Sequence, residues 1–272
     1  CLVVFNLGRR IMSRRSLEGI RGVVTGASSG IGQAFVKAII PFRPKLLVVA
    51  RRVDRLKELA EDAGKCGATI VPLSLDLSQP EAGKRVREMA QQVFDAVDLL
   101  VNNAGVIALG RFEESPPDEL RHLMNVNLFS MVEITYHLLP LLKKGRKPII
   151  VNVSSILGHR GIPWRSYYCA SKFAVQGFSE SIRAELSRHG IDVLVVSPGR
   201  TATELFEGPL EKGKKAAWPD PTPVSPEYVA NRMLRAITKG QHEIIPHPWG
   251  RLMVLVSRLA PRVMDWILKR YA

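Results

Sequence analysis

The segment Tyr167–Lys172, YYCASK, sets two phenols and one amine within a short stretch of chain. A phenol and an ammonium that face one another can pass a proton to and from a bound molecule. On a helix each residue turns by about 100°, so positions four apart lie about 40° from one another on one face. Tyr168 and Lys172 are such a pair. Tyr167, five positions from Lys172, diverges from it by about 140°. A free tyrosine titrates near about 10 and is a poor proton source or sink at neutral pH. An ammonium about 5 Å away, at an effective dielectric of about 20, favours the phenolate by roughly 3 kcal/mol, or about two pKa units. Tyr168 is therefore the candidate acid–base, and Tyr167 a packing or wall residue.

The surrounding chain alternates between two patterns. Short, β-branched, nearly continuous apolar runs at 22–26, 46–50, 69–75, 97–102, 149–154, 191–197 and 242–246 predict strands buried on both faces. Between them, 30–40, 53–63, 79–95, 118–144, 165–189 and 226–239 carry helical periodicity. The alternation predicts a doubly wound α/β fold with a parallel sheet of about seven strands. The region 200–225 breaks the rhythm with Gly, Pro and charge; following a strand end, it is expected to form a lid.

The first strand runs into the first helix through VVTGASSGIGQAF. Gly26, Gly30 and Gly32, with Ser28, Ser29 and Ile31 among them, match a turn that lets a pyrophosphate approach the backbone at the positive end of a helix. The next strand ends in VVARR. An NAD-preferring site would carry an acid there for the ribose 2′-hydroxyl; Arg51 and Arg52 instead suit a 2′-phosphate, so NADP(H) is favoured over NAD(H). Asp54 is expected in the first turn of the following helix.

Four blocks in order, TGASSGIG (25–32), NNAG (102–105), YCASK (168–172) and Pro198–Gly199 with Thr203, closely resemble the single-domain short-chain dehydrogenase/reductase family over roughly 17–245. The resemblance implies a seven-stranded parallel Rossmann sheet and reversible hydride transfer between nicotinamide and a carbonyl or alcohol. It assigns the catalytic tetrad to Asn127, Ser155, Tyr168 and Lys172, with Asn125 the weaker match for the asparagine and Asn127 holding a water that links Lys172 to solvent. It gives Asp76 and Leu77 to adenine, and Asn103, Ala104, Gly105, Pro198, Gly199, Thr201 and Thr203 to the rest of the cofactor. It also implies homodimers or homotetramers through the helices at 118–144 and 165–189. A sensor of the same fold that binds NADP without turnover is the alternative, disfavoured by the intact tetrad.

Apolar Ile107, Leu109, Ile156, Leu157, Ile162, Trp164, Leu205 and Phe206 are expected around the substrate and point to a lipophilic carbonyl; His159, Arg160 and Arg165 would instead welcome an acidic group. Three dispersed cysteines form neither a disulfide framework nor a metal site, which fits a reducing, cytoplasmic setting. Cys169, beside the catalytic tyrosine, leads to an expected sensitivity to bulky alkylating agents. The net charge of +14 gathers at both ends, in Arg9, Arg10, Arg14, Arg15 and Arg21 and in Arg251, Arg258, Arg262, Lys269 and Arg270; no aromatic–basic patch supports a nucleic-acid partner. Residues 1–16 are set apart as a poorly defined segment, with Met12 a plausible initiator, 17–248 as the catalytic domain and 249–272 as a basic amphipathic tail. That tail repeats Leu252, Leu255, Val256 and Leu259, then Val263, Trp266, Ile267 and Tyr271 after Pro261, as for helices lying in a membrane interface or docked on the body or on a neighbouring subunit.

Overall fold

The computed structural model describes residues 15–207 and 222–271. Met12, Arg9, Arg10, Arg14 and the 208–221 part of the expected lid lie outside the described residues, as does the Phe206 side chain. Strands β1 (Arg21–Thr25), β2 (Lys45–Ala50), β3 (Thr69–Ser74), β4 (Leu99–Asn102), β5 (Ile149–Val153), β6 (Asp192–Val196) and β7 (Glu243–Ile244) pair in parallel in the order β3-β2-β1-β4-β5-β6-β7. The helices are α1 (Gly30–Ile39), α2 (Val53–Lys65), α3 (Ala82–Val93), α4 (Pro117–Met124), α5 (Ser130–Leu142), α6 (Ser166–Ser187), α7 (Pro226–Lys239), α8 (Pro248–Leu259) and α9 (Pro261–Leu268).

The continuous apolar strands are explained by two cores, one on each face of the sheet. Val24, Val48, Val101, Val151 and Val196 point to a layer containing α1, α2 and α7. Their neighbours Val23, Val49, Leu100, Ile150 and Val193 point to α3, α5 and α6. Strand residues alternate faces, so a strand covered on both sides must be apolar at every position. The chain order reverses between β1 and β4. The ends of these strands therefore diverge into a crevice, the usual ligand position in an open α/β sheet.

A buried polar thread ties the helices to this end of the sheet. Asn102 Nδ2 donates to Asn152 Oδ1 at 2.9 Å and to Thr135 Oγ1 at 3.1 Å, while Asn152 Nδ2 donates to Ser179 Oγ at 2.9 Å. β4, β5, α5 and α6 are thus fixed in relative register by groups that would be costly to leave unpaired.

Two boundaries differ from expectation. The long helix predicted at 118–144 is broken by a π-turn at Asn125–Phe129, where the Ser130 amide bonds to the Asn125 carbonyl. Apolar periodicity continues through such a bulge, so pattern alone does not reveal it. Arg15, outside the predicted domain, is buried: its guanidinium pairs with Asp192 at 2.8 Å and donates to the Ile237 carbonyl at 2.9 Å. The tail, set apart at 249–272, takes the arrangement docked on the body that was one of its expected alternatives. Met264 and Leu268 of α9 pack into one cluster with Ile162 and Cys169, joined by Met253 and Val256 of α8. Its outer face keeps Trp249, Leu252, Leu255, Leu259, Val263 and Trp266 exposed. Among the described residues no helix is long and apolar enough to cross a membrane.

Candidate active site

The glycine turn is built by close approach. Gly26 has φ +65°, and a Cβ there would stand 2.8 Å from the Ala104 Cα and the Asn103 side chain. A Cβ on Gly32 would lie 2.3 Å from the Gly26 carbonyl oxygen. Only glycine fits either position. The β4 end braces the turn: Asn103 Nδ2 donates to the carbonyls of Thr25 (3.1 Å) and Gly26 (3.2 Å), and Thr25 Oγ1 accepts from the amides of Asn103 and Ala104. Asn103 thus holds the turn as well as lining the crevice. No side chain caps α1, and Ser28, Ser29, Gly30 and Ile31 line the cavity, so the positive helix end is available to an anion.

Arg51 and Arg52 line the same cavity but diverge in their contacts. Arg52 donates from Nε and Nη2 to Ser28 Oγ, each at 3.2 Å, and from Nη1 to Glu204 at 2.6 Å. Arg55, one helical turn on, donates to the other Glu204 oxygen at 2.7 Å. Arg51 stands nearer Asp76, whose carboxylate accepts from the Ser78 amide (2.9 Å) and hydroxyl (2.8 Å). Those bonds, the amide first, with Arg51 adding its charge, hold Asp76 below its ordinary range. Leu77 lines the wall beside it, and Asp54 lies in the first turn of α2 as expected. Arg55 and Glu204 were not anticipated. Arg55 was readable from its i+3 spacing to Arg52; Glu204 meets Arg52 across 152 residues, a contact without a local signature.

From the glycine turn one continuous cavity of about 570 Å³ runs to Ser155, Tyr168 and Lys172, past Ala104, Gly105, Pro198, Gly199, Thr201 and Thr203. Ser155 closes the turn after β5, its Oγ accepting from the Leu157 amide at 3.1 Å. α6 is pinned there by Ser154 Oγ, which donates to the Lys172 carbonyl at 3.1 Å, and by Gly158, where a Cβ would strike that carbonyl at 2.7 Å. Tyr168 and Lys172 then face the cavity together, with Nζ 5.8 Å from the phenol ring centre. Lys172 is buried, and Nζ donates to the Val153 carbonyl at 3.0 Å. Desolvation lowers its pKa to about 8 from the ordinary 10.5. A Cβ on Gly105 would press to 3.2 Å from Asn127 Oδ1 while meeting Nζ at an ordinary 3.6 Å.

Asn127 is fully buried within the π-turn and does not line the cavity. Its Oδ1 accepts from the Val106 amide at 2.8 Å, and Nδ2 donates to the Val106 carbonyl (3.0 Å) and to Ser171 Oγ (2.9 Å). Ser171 Oγ in turn donates to the Tyr168 carbonyl at 2.8 Å. The asparagine side chain therefore positions the loop after β4 against the helix bearing Tyr168. Gly32 likewise acts by packing, away from the lining.

Ile107, Ile156, Leu157, Ile162 and Leu205, with Arg165, line the same cavity as Tyr168. Several expectations change here. Leu109 is buried away from the wall, and Trp164 lies under Arg111, its ring centre 5.0 Å from the guanidinium carbon. His159 is held by Ser197, Gln176 and Glu243, and Arg160 pairs with Asp265 of α9, so neither reaches the cavity to receive an acidic group. Met253 of α8 is an unforeseen wall residue. Tyr167 packs edge-on against Phe112 and donates to the Ser115 carbonyl at 3.0 Å. Cys169 is buried, and desolvation raises its pKa, so the expected alkylation sensitivity does not follow from this thiol.

A model of the short chain dehydrogenase family matches residues 22–212. Dehydrogenase/reductase SDR family member 7B of Bos taurus is 32% identical over 96% of this chain and 85% of its own length. An SDR family protein 7-like dehydrogenase/reductase of Anopheles gambiae is 34% identical over 95% of this chain and 84% of its own. Among solved structures, a Burkholderia phymatum short chain dehydrogenase/reductase in complex with NAD superposes with a TM-score of 0.81 at 23% identity, covering 91% of this chain and 96% of that one, a likeness of fold. A Burkholderia cenocepacia short chain dehydrogenase in complex with NADP gives 0.78 at 25% identity, covering 93% and 99%. The crevice at the sheet reversal, the glycine turn and the Tyr–Lys helix thus stand in a chain that belongs to the short-chain dehydrogenase/reductase family of oxidoreductases.

Proposed function

We propose that this enzyme reduces a lipophilic carbonyl compound, or oxidises the matching secondary alcohol, using NADP(H). The observation that carries the proposal is the single cavity joining Gly26–Ile31 and Arg52 at one end to Ser155, Tyr168 and Lys172 at the other. Phosphates would rest at the start of α1, the adenine beside Asp76 and Leu77, and the 2′-phosphate on Arg52 with Arg51 near. When bound, the nicotinamide supplies or accepts the hydride at the substrate carbon. Tyr168 gives its phenolic proton to the carbonyl oxygen, or takes it back in oxidation. Ser155 donates a hydrogen bond to that oxygen as charge grows on it. Lys172, charged below about pH 8, holds the phenol near working pH and replenishes its proton. A non-catalytic NADP sensor is less well supported, because all three groups line the cavity.

The test is NADPH and NADH oxidation against aldehydes, ketones, steroid ketones and long-chain acyl ketones. The expected result is turnover with NADPH on long apolar carbonyls, weaker with short polar ones. Absence of turnover on every carbonyl, with NADPH bound, would favour the sensor.

Two surfaces support contacts outside the cavity. Phe129 and Tyr136, seven residues apart along the π-turn and α5, are exposed, as is Phe173 on α6; this face suits a second copy of the chain in a homodimer or homotetramer. The outer face of α8 and α9 presents Trp249, Leu252, Leu255, Leu259 and Trp266 among Arg251, Arg258, Arg262, Lys269 and Arg270, a pattern suited to the interface of an anionic bilayer. The protein is then cytoplasmic and peripherally bound. Because the inner faces of these helices cover Ile162 and Cys169, truncation would damage the body, and point variants are the cleaner probe. Leu255→Glu/Leu259→Glu is expected to lower sedimentation with phosphatidylserine vesicles at least tenfold while preserving turnover of a soluble substrate. Equal sedimentation would remove the membrane contact.

A further inference from the structure

The Arg52 guanidinium proposed above for the cofactor's 2′-phosphate already faces an anion, and it belongs to the chain itself. Glu204 places one carboxylate oxygen 2.6 Å from Arg52 Nη1 and the other 2.7 Å from Arg55 Nη1. Arg52 meanwhile donates to Ser28 Oγ in the glycine turn. A carboxylate bridging two arginines beside a serine hydroxyl offers the same negative oxygens that a phosphate monoester would offer. The bridge is not a chance contact of a loose side chain. On one side Thr203 abuts Gly30, where a Cβ would stand 2.9 Å from Thr203 Cγ2. On the other, Leu205 packs against the cluster of Ile107, Leu123 and Tyr168. Glu204 is thus held between the glycine turn and the substrate wall. The arginines keep its carboxyl below the usual carboxylate range, so it is an anion at neutral pH.

We infer that Glu204 is a specificity-determining residue that occupies the 2′-phosphate position as an internal competitor, opposing phosphorylated cofactor and leaving the unphosphorylated one untouched. The inference rests on the assignment of Arg52 to the 2′-phosphate. A dianionic phosphate and the Glu204 carboxylate cannot share the Arg52 guanidinium without strong repulsion, so phosphate entry must turn Glu204 away from Arg52. A 2′-hydroxyl carries no such charge and leaves the bridge in place. Arg52, Glu204 and Arg55 have side-chain exposures of 45%, 43% and 40%, so water screens the bridge and its effect on affinity is moderate.

The test uses the full chain and two nucleotide probes that each carry two phosphates, 2′,5′-ADP with one of them at the 2′ position and 5′-ADP with both at the 5′ position, alongside NADPH and NADH. Dissociation constants are measured by calorimetry for the wild type, Glu204→Gln, Arg52→Ala and the double variant, with circular dichroism to verify folding. Glu204→Gln keeps the shape and removes the charge. It is expected to tighten 2′,5′-ADP and NADPH by about three- to tenfold and to leave 5′-ADP and NADH within about twofold. In the Arg52→Ala background the same substitution should have a clearly smaller effect on 2′,5′-ADP. If Arg52→Ala leaves 2′,5′-ADP unchanged, the underlying assignment of the 2′-phosphate fails. If Arg52→Ala weakens 2′,5′-ADP but Glu204→Gln does not tighten it, the assignment stands and internal competition is overturned. A loss of 5′-ADP and NADH affinity in Glu204→Gln would also overturn it, making Glu204 an acceptor for the ribose hydroxyl.

Discussion

Tyr168→Phe is expected to lower turnover about a thousandfold, in the range that loss of a positioned acid–base removes, while NADPH affinity stays within about twofold of the wild type. The ring is 7% exposed and packs with Ile107, Ala108 and Leu123, contacts that phenylalanine retains, and the Ser171 hydroxyl bonds to the main chain of residue 168. The neighbouring substitution Tyr167→Phe is the internal control. It removes one hydrogen bond, to the Ser115 carbonyl, from a residue facing Phe112, and should leave turnover within a few fold. Single-turnover reduction with saturating NADPH separates the chemical step from product release. Retained activity in Tyr168→Phe, or its loss in Tyr167→Phe alone, would refute the choice of tyrosine.

What could be read from the sequence follows how locally each feature is encoded. The glycine turn, the Tyr168–Lys172 pair and the strands depend on residues within one or two turns of each other, and they stand where periodicity and spacing placed them. The break at Asn125–Phe129 escaped because a π-turn shifts helical phase without interrupting the apolar pattern. His159 shows the opposite difficulty. A histidine and arginines near a serine turn look like an acceptor for acids, yet His159 is turned into a network with Gln176 and Glu243, and Glu243 lies on β7, far along the chain. Met253 and Glu204 reach the cavity from segments whose course depends on tertiary packing. The residues that hold a site by backbone geometry were legible; those that trim its specificity were not.

Lys172 should leave two signatures that depend on pH. In the carbonyl-reducing direction both Tyr168 and Lys172 must begin protonated, so kcat/KM is expected to be level below about pH 8 and to fall about tenfold per unit above it, as the buried ammonium loses its proton. The second signature is in stability. The folded chain holds Lys172 at about 8, whereas the unfolded chain holds it near 10.5. Between those values the unfolded state binds more protons, so this residue makes the fold more stable as pH rises through the window, by about 3 kcal/mol in full. Below the window the cost of burying the charge is constant. Lys172→Met removes the titration, and groups that ionise between pH 8 and 10 away from Lys172, that is all but the neighbouring Tyr168 phenol, cancel when the two proteins are compared. Urea midpoints at pH 7 and pH 10 should therefore rise for the wild type relative to the variant, with turnover absent in the variant at both. The substitution also leaves the Val153 carbonyl without its donor, a cost of about 1–3 kcal/mol that offsets much of the relief at pH 7 without depending on pH. Parallel midpoints for the two proteins would mean that Lys172 titrates as an exposed lysine does, and the ammonium could not then be the group that tunes Tyr168 from within a dry wall.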